Sequence, residues 1–405
     1  MLPDARRAPV RAVSASLPLN PVLTGLGTYP FVRLGEARAA AVARGVDVID
    51  LGVGEPREET PAFLREALCD AVRAHPVAGY PLAVGLPELR DAIAAWIDRR
   101  YGATVDPGTE IVPTLGSKEL VFSLAEVCAG GGRDLVAMTS PGYPVAERGA
   151  AFAGCEVLEL PLTAERDFLP DLDALTAEQL SRLAILWLNY PNNPTAAVAP
   201  LAFYERAAAL AREHGFVLAS DEAYSELWFT GDPPASALQL DSLENVLVCN
   251  TLSKRSSMPG YRSGFAAGDA RLVAALRRYR PNVGVAPQEF VQRAAVAAWG
   301  DEEHVVAVRA LYRAKLAVLA PGLEAVGLRD AGGPATFFRW LALPQGVTGS
   351  EDFATELLDE TGLVVTPGAY FGPAGEGYVR VALVPTLERC TEAAERLRRR
   401  GGRPV

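Results

Sequence analysis

The chain has 405 residues, 49% of them apolar, and a formal net charge of −10. That length allows a large core and about two domains, and the acidic balance argues against a general binder of phosphate backbones, so no nucleic-acid partner is expected. The five cysteines are scattered and the histidines (His75, His214, His304) lie far apart, which excludes a disulfide framework and a metal site and fits a reducing cytoplasm; no run can span a membrane, and Met1 to Ser16 lacks the apolar region of a secretory signal.

Residues 1–30, rich in proline and small side chains, are expected to form an irregular arm. A helix is predicted from Phe31 to about Arg44, and Val46–Leu51 alternates like a short strand before the glycine-rich turn Gly52-Val53-Gly54-Glu55-Pro56. Helices follow from Pro61 to Ala74 and from about Pro87 to Arg100. Glu110–Thr114 then leads through Leu115-Gly116-Ser117-Lys118 into a helix with Leu120, Val121, Leu124, Val127 and Cys128 on one face. A small-residue turn feeding a helix N-terminus can cradle a phosphate through its N–H groups and the helix dipole, although many helices start this way.

Four apolar runs come next, at Leu135–Met138, Leu183–Leu188, Phe216–Ala219 and Val246–Cys249, separated by helical stretches such as Pro200–His214. Buried strands alternating with helices predict an α/β fold with a large, mostly parallel sheet, whose ligands bind beyond the carboxyl ends of the strands. Polar, specific residues stand at those ends: Pro141-Gly142-Tyr143-Pro144, Asn189-Tyr190-Pro191-Asn192-Asn193-Pro194, Ser220-Asp221-Glu222-Ala223-Tyr224, and Thr251-Leu252-Ser253-Lys254. After Pro287 the texture changes. Helix is expected from Gln288 to about Val326 with a break near Gly300, then Phe337–Trp340, a helix at Glu351–Glu360, and strands at Leu363–Val365 and Tyr378–Val384. The expected division is an arm (1–30), a large domain (51–288), and a smaller α+β domain (31–50 with 289–405). The clusters Arg277-Arg278 and Arg398-Arg399-Arg400 read as solvated.

Only three lysines occur, Lys118, Lys254 and Lys315. Arginine stays protonated and cannot act as an amine nucleophile, so covalent amine chemistry has three candidates, and Lys254 has the most informative surroundings. A lysine can form an imine with an aldehyde. An aspartate at a strand end can keep a pyridine nitrogen protonated, an aromatic can stack on the ring, and Gly, Ser, Lys and Arg can hold a phosphate. Together these describe pyridoxal 5′-phosphate. Each residue also has a plainer reading: Asp221 as a helix cap, Tyr143 as packing, Asn193 as turn chemistry, Arg262 as a surface charge. Arg380 lies inside the predicted strand Tyr378–Val384, where a charge needs a partner, either an internal carboxylate or a substrate's.

The whole chain resembles the class I/II aminotransferases of fold type I. The marks are Gly54-Glu55-Pro56, Tyr80 with Gly85 and Leu89-Arg90, Gly116-Ser117-Lys118, Pro141-Gly142-Tyr143-Pro144, Asn192-Asn193-Pro194-Thr195, Ser220-Asp221-Glu222-Ala223-Tyr224, Ser253-Lys254 with Gly260 and Arg262, and Arg380. The resemblance implies that Lys254 carries the cofactor as a Schiff base and moves the proton, and that Asp221 pairs with the pyridine nitrogen. Tyr224 and Asn193 would meet the phenolic oxygen, and Tyr143 the ring face. Gly116, Ser117, Lys118, Thr251, Ser253 and Arg262 would grip the phosphate, with Tyr80 supplied to a neighbouring subunit, so that a homodimer shares its active sites. Arg380, with Gly54 and Asn193, would take the substrate α-carboxylate. The implied activity is ping-pong transfer of an amino group between an L-amino acid and a 2-oxo acid.

Ser253–Phe265 and Leu311-Tyr312-Arg313-Ala314-Lys315 are most similar to N-succinyldiaminopimelate aminotransferases of amino-acid biosynthesis, as are Asn20-Pro21 through Tyr29-Pro30-Phe31. Departures at Pro281-Asn282-Val283 and Ala335–Arg339 would fall at the side-chain end of the substrate pocket. They leave open a transaminase making a nonproteinogenic, basic or guanidino amino acid. A lyase or oxidase on the same fold is a further alternative.

Overall fold

The four apolar runs become the middle of one sheet. The computed structural model describes residues 19–25 and 30–402; most of the expected arm, with Tyr29, lies outside the described residues. After a two-residue strand, β1 (Ile49–Asp50), the chain contributes seven strands to that sheet: β2 (Ile111–Thr114), β3 (Leu135–Ser140), β4 (Glu156–Pro161), β5 (Leu183–Asn189), β6 (Val217–Asp221), β7 (Val246–Thr251) and β8 (Gly264–Gly268). Their order is β2-β8-β7-β6-β5-β3-β4. β4, β3, β5, β6 and β7 run parallel, while β8 is antiparallel to both its neighbours. β3 and β7 are buried along their whole length, as expected of strands covered on both faces.

β4 and β8 are among the strands that were not expected. β4 is an edge strand with exposed Glu156 and Glu159, so it lacks an apolar run. β8, Gly-Phe-Ala-Ala-Gly, has small residues because the backbone passes close by: a Cβ on Gly264 would lie 2.4 Å from Asn250 O and 3.1 Å from Gly116 Cα.

A second sheet, β12-β13-β10-β9, is built from β9 (Arg329–Asp330), β10 (Phe338–Ala342), β12 (Thr366–Pro367) and β13 (Tyr378–Ala382), while β11 (Leu363–Val364) pairs in parallel with β1. These strands share an apolar core with helix Glu303–Ala325, through Tyr312 and Leu319, and with helix Leu387–Gly401, through Ala393 and Leu397. The core of the large sheet includes Trp96, Phe265 and Trp299, whose rings lie 4.7–5.9 Å apart. Trp299 comes from helix Glu289–Gly300, which the sequence reading places with the smaller unit but which packs on helices Ala62–Ala74 and Pro87–Tyr101.

The arginine clusters are not simply solvated. Arg277 donates to the carbonyls of Gly108 (2.6 Å) and Ile111 (2.7 Å), and Arg398–Arg400 end the helix Leu387–Gly401, where Arg400 pairs with Glu360. Among the described residues no helix is long and apolar enough to cross a membrane.

The close approach at Gly264 makes a prediction. Gly264→Ala should lower stability by about 1–3 kcal/mol through overpacking, seen as a lower urea midpoint. Gly35→Ala, inside helix Pro30–Ala43 with open space around the new methyl, should instead raise it by about 0.5–1 kcal/mol.

Candidate active site

The parallel register places Asn189 beside Asp221 and Asp221 beside Cys249, so the ends of β5, β6 and β7 form one ledge. A cleft of about 540 Å³ opens above it. Of the residues singled out from sequence, Gly54, Ser117, Lys118, Tyr143, Asn193, Asp221, Tyr224, Thr251, Ser253, Lys254, Arg262 and Arg380 all line this cleft. Gly116 lies just behind it. Tyr80 is fully exposed and takes no part in the cleft of a single chain.

Lys254 sits in the short helix Leu252–Arg255 directly after β7, which the Thr251 side chain caps by accepting from Ser253 N. Its Nζ donates to Gly54 O at 2.9 Å and lies 5.5 Å from the Phe337 ring centroid. Burial, followed by the nearby Arg380 charge, pushes this amine down to about 8, with Glu55 opposing. At the floor, Asp221 accepts from Ala223 N at 3.2 Å and from the Cys249 thiol at 3.6 Å. Burial raises its carboxyl to about 6 despite those bonds and the charge of Lys254.

Facing them, Arg380 projects from the middle of β13 and is only 2% exposed. Its guanidinium donates to Asn193 Oδ1 (2.9 Å), Gly52 O (2.6 Å) and Thr366 Oγ1 (3.4 Å), and lies 4.1 Å from the Phe338 ring centroid. These partners are neutral oxygens and an aromatic face. Asn193 is itself set by Asn189, whose side chain accepts from Asn193 N (2.9 Å) and donates to Asp221 O (2.8 Å). Tyr224 packs edge-on against Phe338 at 5.5 Å, and burial holds its hydroxyl well above the ordinary tyrosine range.

At the other end of the cleft, Gly116 caps helix Ser117–Cys128 with φ 75°. A Cβ there would meet Arg262 Nη2 at 2.8 Å, so only glycine lets the guanidinium close over the helix N-terminus. Arg262 has a left-handed backbone (φ 53°) and donates to Leu115 O and Pro259 O, both at 2.8 Å. Thr251 Oγ1 and Ser253 Oγ lie 2.9 Å apart beside it.

Some expectations need correction, and some participants were missed. Asn282 is exposed, with its amide donating to Arg278 O (2.7 Å), and does not line the cleft of a single chain. Of Ala335–Arg339, Phe338 lines the cleft, whereas Thr336 turns to Phe338 N (2.9 Å) and Arg339 to Gly333 O and Asp330. Asn189 was given no role, although it is the residue that β5 places beside Asp221. Gly52 was seen only as part of a glycine-rich turn, and Thr366, which with it holds Arg380, carries no sequence signal, because their part depends on pairing between distant strands.

These residues fit pyridoxal phosphate. There is a lysine amine, a buried carboxyl that gains from a cationic ring nitrogen beside it, an aromatic wall, and a glycine-built cradle of helix N–H groups, hydroxyls and a guanidinium. The comparisons agree. Residues 46–397 match the family model described as aminotransferase class I and II. LL-diaminopimelate aminotransferase of Nitratidesulfovibrio vulgaris is 40% identical over 93% of this chain and 97% of its own length. Among solved structures, an aminotransferase of Neisseria meningitidis aligns with TM-score 0.86 and 36% identity over 94% of this chain and 99% of that one. A probable N-succinyldiaminopimelate aminotransferase of Thermus thermophilus gives 0.84 and 34% over 91% and 99%. Fold and cleft thus define a fold-type I enzyme that uses pyridoxal phosphate. The chain belongs to the class I and II aminotransferases, and is a transaminase.

Two titrations are open to measurement. In cofactor-free protein, reductive methylation of Lys254, followed by peptide mass mapping, should have its midpoint near pH 8, about two units below that of a free lysine; a midpoint near 10 would contradict the buried setting. Glu222, next to Asp221, is fully buried, accepts from Ser220 Oγ (3.0 Å) and Ala237 N (2.9 Å), and is raised by burial from 4.5 to about 7. A carboxyl raised on folding gives its full stability below its unfolded value and loses it as pH rises through the folded one. Glu222→Gln should therefore gain thermal stability relative to the parent between pH 5 and pH 8, and an unchanging difference would count against the raised value.

Proposed function

We propose that Lys254, Asp221 and Arg380 are the working groups of a ping-pong transfer between an L-amino acid of the diaminopimelate type and a 2-oxo acid. The observation that carries this is the placement of an amine of lowered proton affinity and a guanidinium that meets amide, carbonyl and hydroxyl oxygens in one cleft, above a buried carboxyl. Bound pyridoxal phosphate supplies an aldehyde that condenses with amines and a cationic ring that accepts the electron pair released at the substrate Cα. Asp221 would keep the ring nitrogen protonated, and Tyr143 and Ala223 would confine the ring. Tyr224 and Asn193 would hold its phenolic oxygen. The first-turn N–H groups of Ser117 and Lys118, with Thr251, Ser253 and Arg262, take the phosphate. With the cofactor bound, Lys254 would be the base that accepts the Cα proton. Its depressed affinity for protons leaves a far larger neutral fraction near neutral pH than an ordinary lysine has. Arg380 exchanges neutral partners for the α-carboxylate, a charge-assisted pair with two parallel bonds. The diaminopimelate assignment is supported by the names of the relatives at 40% identity and of the Thermus structure.

The same proposal includes a cytoplasmic homodimer. The five cysteines are free thiols, and Val77, Tyr80 and Leu82 are 89%, 100% and 69% exposed on one segment, an apolar stretch suited to a second copy. It also divides the chain between its two cores, a large unit within 51–288 and a smaller unit of 31–50 with the C-terminal part, with helix Glu289–Gly300 joining the large unit by its packing.

The decisive experiment is a half-reaction on purified holoenzyme. LL-diaminopimelate without an oxo acid should convert the bound cofactor to its amine form, followed by absorbance, with a higher kcat/KM than aspartate or arginine. Lys254→Ala should cost at least about 10²–10⁴-fold, and Arg380→Lys should raise the amino-acid KM. Oxygen uptake, or turnover that survives Lys254→Ala, would overturn the assignment.

A further inference from the structure

Lys315 is the lysine that the reading above leaves without a part. It lies in helix Glu303–Ala325, its side chain is 0% exposed, and it forms an ion pair with Glu58, whose side chain is 22% exposed. A buried ammonium is costly unless paired, and either partner left alone is worse than both together.

Glu58 belongs to the segment between β1 and helix Ala62–Ala74; Leu51 still pairs through its backbone with Val364 and Ala382, but beyond it the segment contains no helix or strand and no ladder holds it. This strap nevertheless touches both working cations: Gly52 O accepts from Arg380 and Gly54 O from Lys254. Side chains must therefore fix it. At the β1 end, Asp50 accepts from Gly52 N (2.9 Å) and Val53 N (3.2 Å), and Thr366 Oγ1 donates to Gly52 O (2.8 Å). At the far end, Thr60 Oγ1 donates to Ser257 O (2.6 Å). Between Gly54 and Thr60, Arg57 reaches back along the strap itself to Asp50, so the pin to the smaller core is Glu58–Lys315. Gly54 in turn presses on Phe338: a Cβ there would stand 2.5 Å from Phe338 Cζ, and the Phe338 ring faces the Arg380 guanidinium.

We infer that the Glu58–Lys315 ion pair positions the strap, so that Lys315 is a positioning residue for substrate binding: it fixes Gly54 and, through Phe338, the attitude of Arg380 toward the substrate α-carboxylate. The inference rests on the proposed role of Arg380. It makes carboxylate binding depend on the helix of the smaller core, with no contact between Lys315 and the substrate.

Steady-state kinetics on the holoenzyme test this with Lys315→Met, Glu58→Gln, the double variant and Lys315→Arg. Each single neutral variant should raise the amino-acid KM about tenfold, a coupling of the size contacting residues show, with kcat within about threefold and cofactor affinity unchanged. The double variant should be no worse than either single, and Lys315→Arg should recover most of the loss. A KM unchanged in Lys315→Met while its melting temperature falls would make the pair merely structural and overturn the proposal. So would independent, additive effects of the two singles. If Lys315→Met fails to fold, Glu58→Gln at the more exposed partner decides by the same KM-against-kcat split. Arg380→Lys in the same assay separates the two levels. If it leaves KM unchanged, the carboxylate reading falls and takes this inference with it; if only the pair variants do, this inference alone falls.

Discussion

The site depends on the cost of keeping ionised groups away from water. Asp221 and Arg380 are nearly without solvent and Lys254 beside them is half-buried, and an unpaired charge there would be neutralised or expelled. Each is therefore met by a group from a distant part of the chain. Lys254 has the Gly54 carbonyl, 200 positions away, and Arg380 has the Asn193 side chain at 187 and the Gly52 carbonyl at 328. Asp221 has the thiol of Cys249 on the next strand. Carbonyl and amide oxygens stand against both groups, so on the proposed reading each still gains by meeting an anion or an aldehyde. A carboxylate in the place of Asn193 would bind Arg380 so well that little affinity would remain for a substrate.

The sheet makes those meetings reproducible. Parallel pairing sets Asn189, Asp221 and Cys249 level across three strands, and the turn after β7 delivers Lys254 above them. Asn189 then ties Asn193 to the same ledge, so the loop that holds Arg380 is indexed to the strand that holds Asp221. Gly264 and Gly116 serve the same end from the other side, since their missing side chains let β8, the phosphate-side helix and Arg262 close together.

Much of this was legible in the chain. The buried runs at β3, β5, β6 and β7, and the polar residues that follow them, need only apolar patterning and the strand-end rule. What was not legible is what patterning does not encode. β4 hides behind the glutamates of an edge strand. β8 is small because of contacts made with β7 and with Gly116, and Ala and Gly carry no strand signal. The C-terminal arginines read as a solvated tail because their helix is strongly charged on one face, and only the small run of Cys390, Ala393, Ala394 and Leu397 on the other marks its burial. Thr366 and Lys315 show little in the sequence because each acts through a partner far away in the chain, Gly52 at 314 positions and Glu58 at 257.

That division has a consequence for specificity. On the proposed reading, the groups that meet the cofactor come from the ends of the rigid sheet and the helix that follows β2. The groups that meet the substrate, Gly54, Phe338 and Arg380, come from an irregular strap and from the smaller sheet. Changes in the second set can alter which amino acid is held while the strand register that sets the first stays fixed, although the two sets meet at Asn193, at the Gly54 carbonyl and where Tyr224 packs on Phe338. A strap without a ladder can be repositioned by small changes in its pins, whereas a strand cannot slip without turning every side chain to the other face. The chemistry of such a fold is therefore conservative, and its substrate range is set by the segment with the least secondary structure.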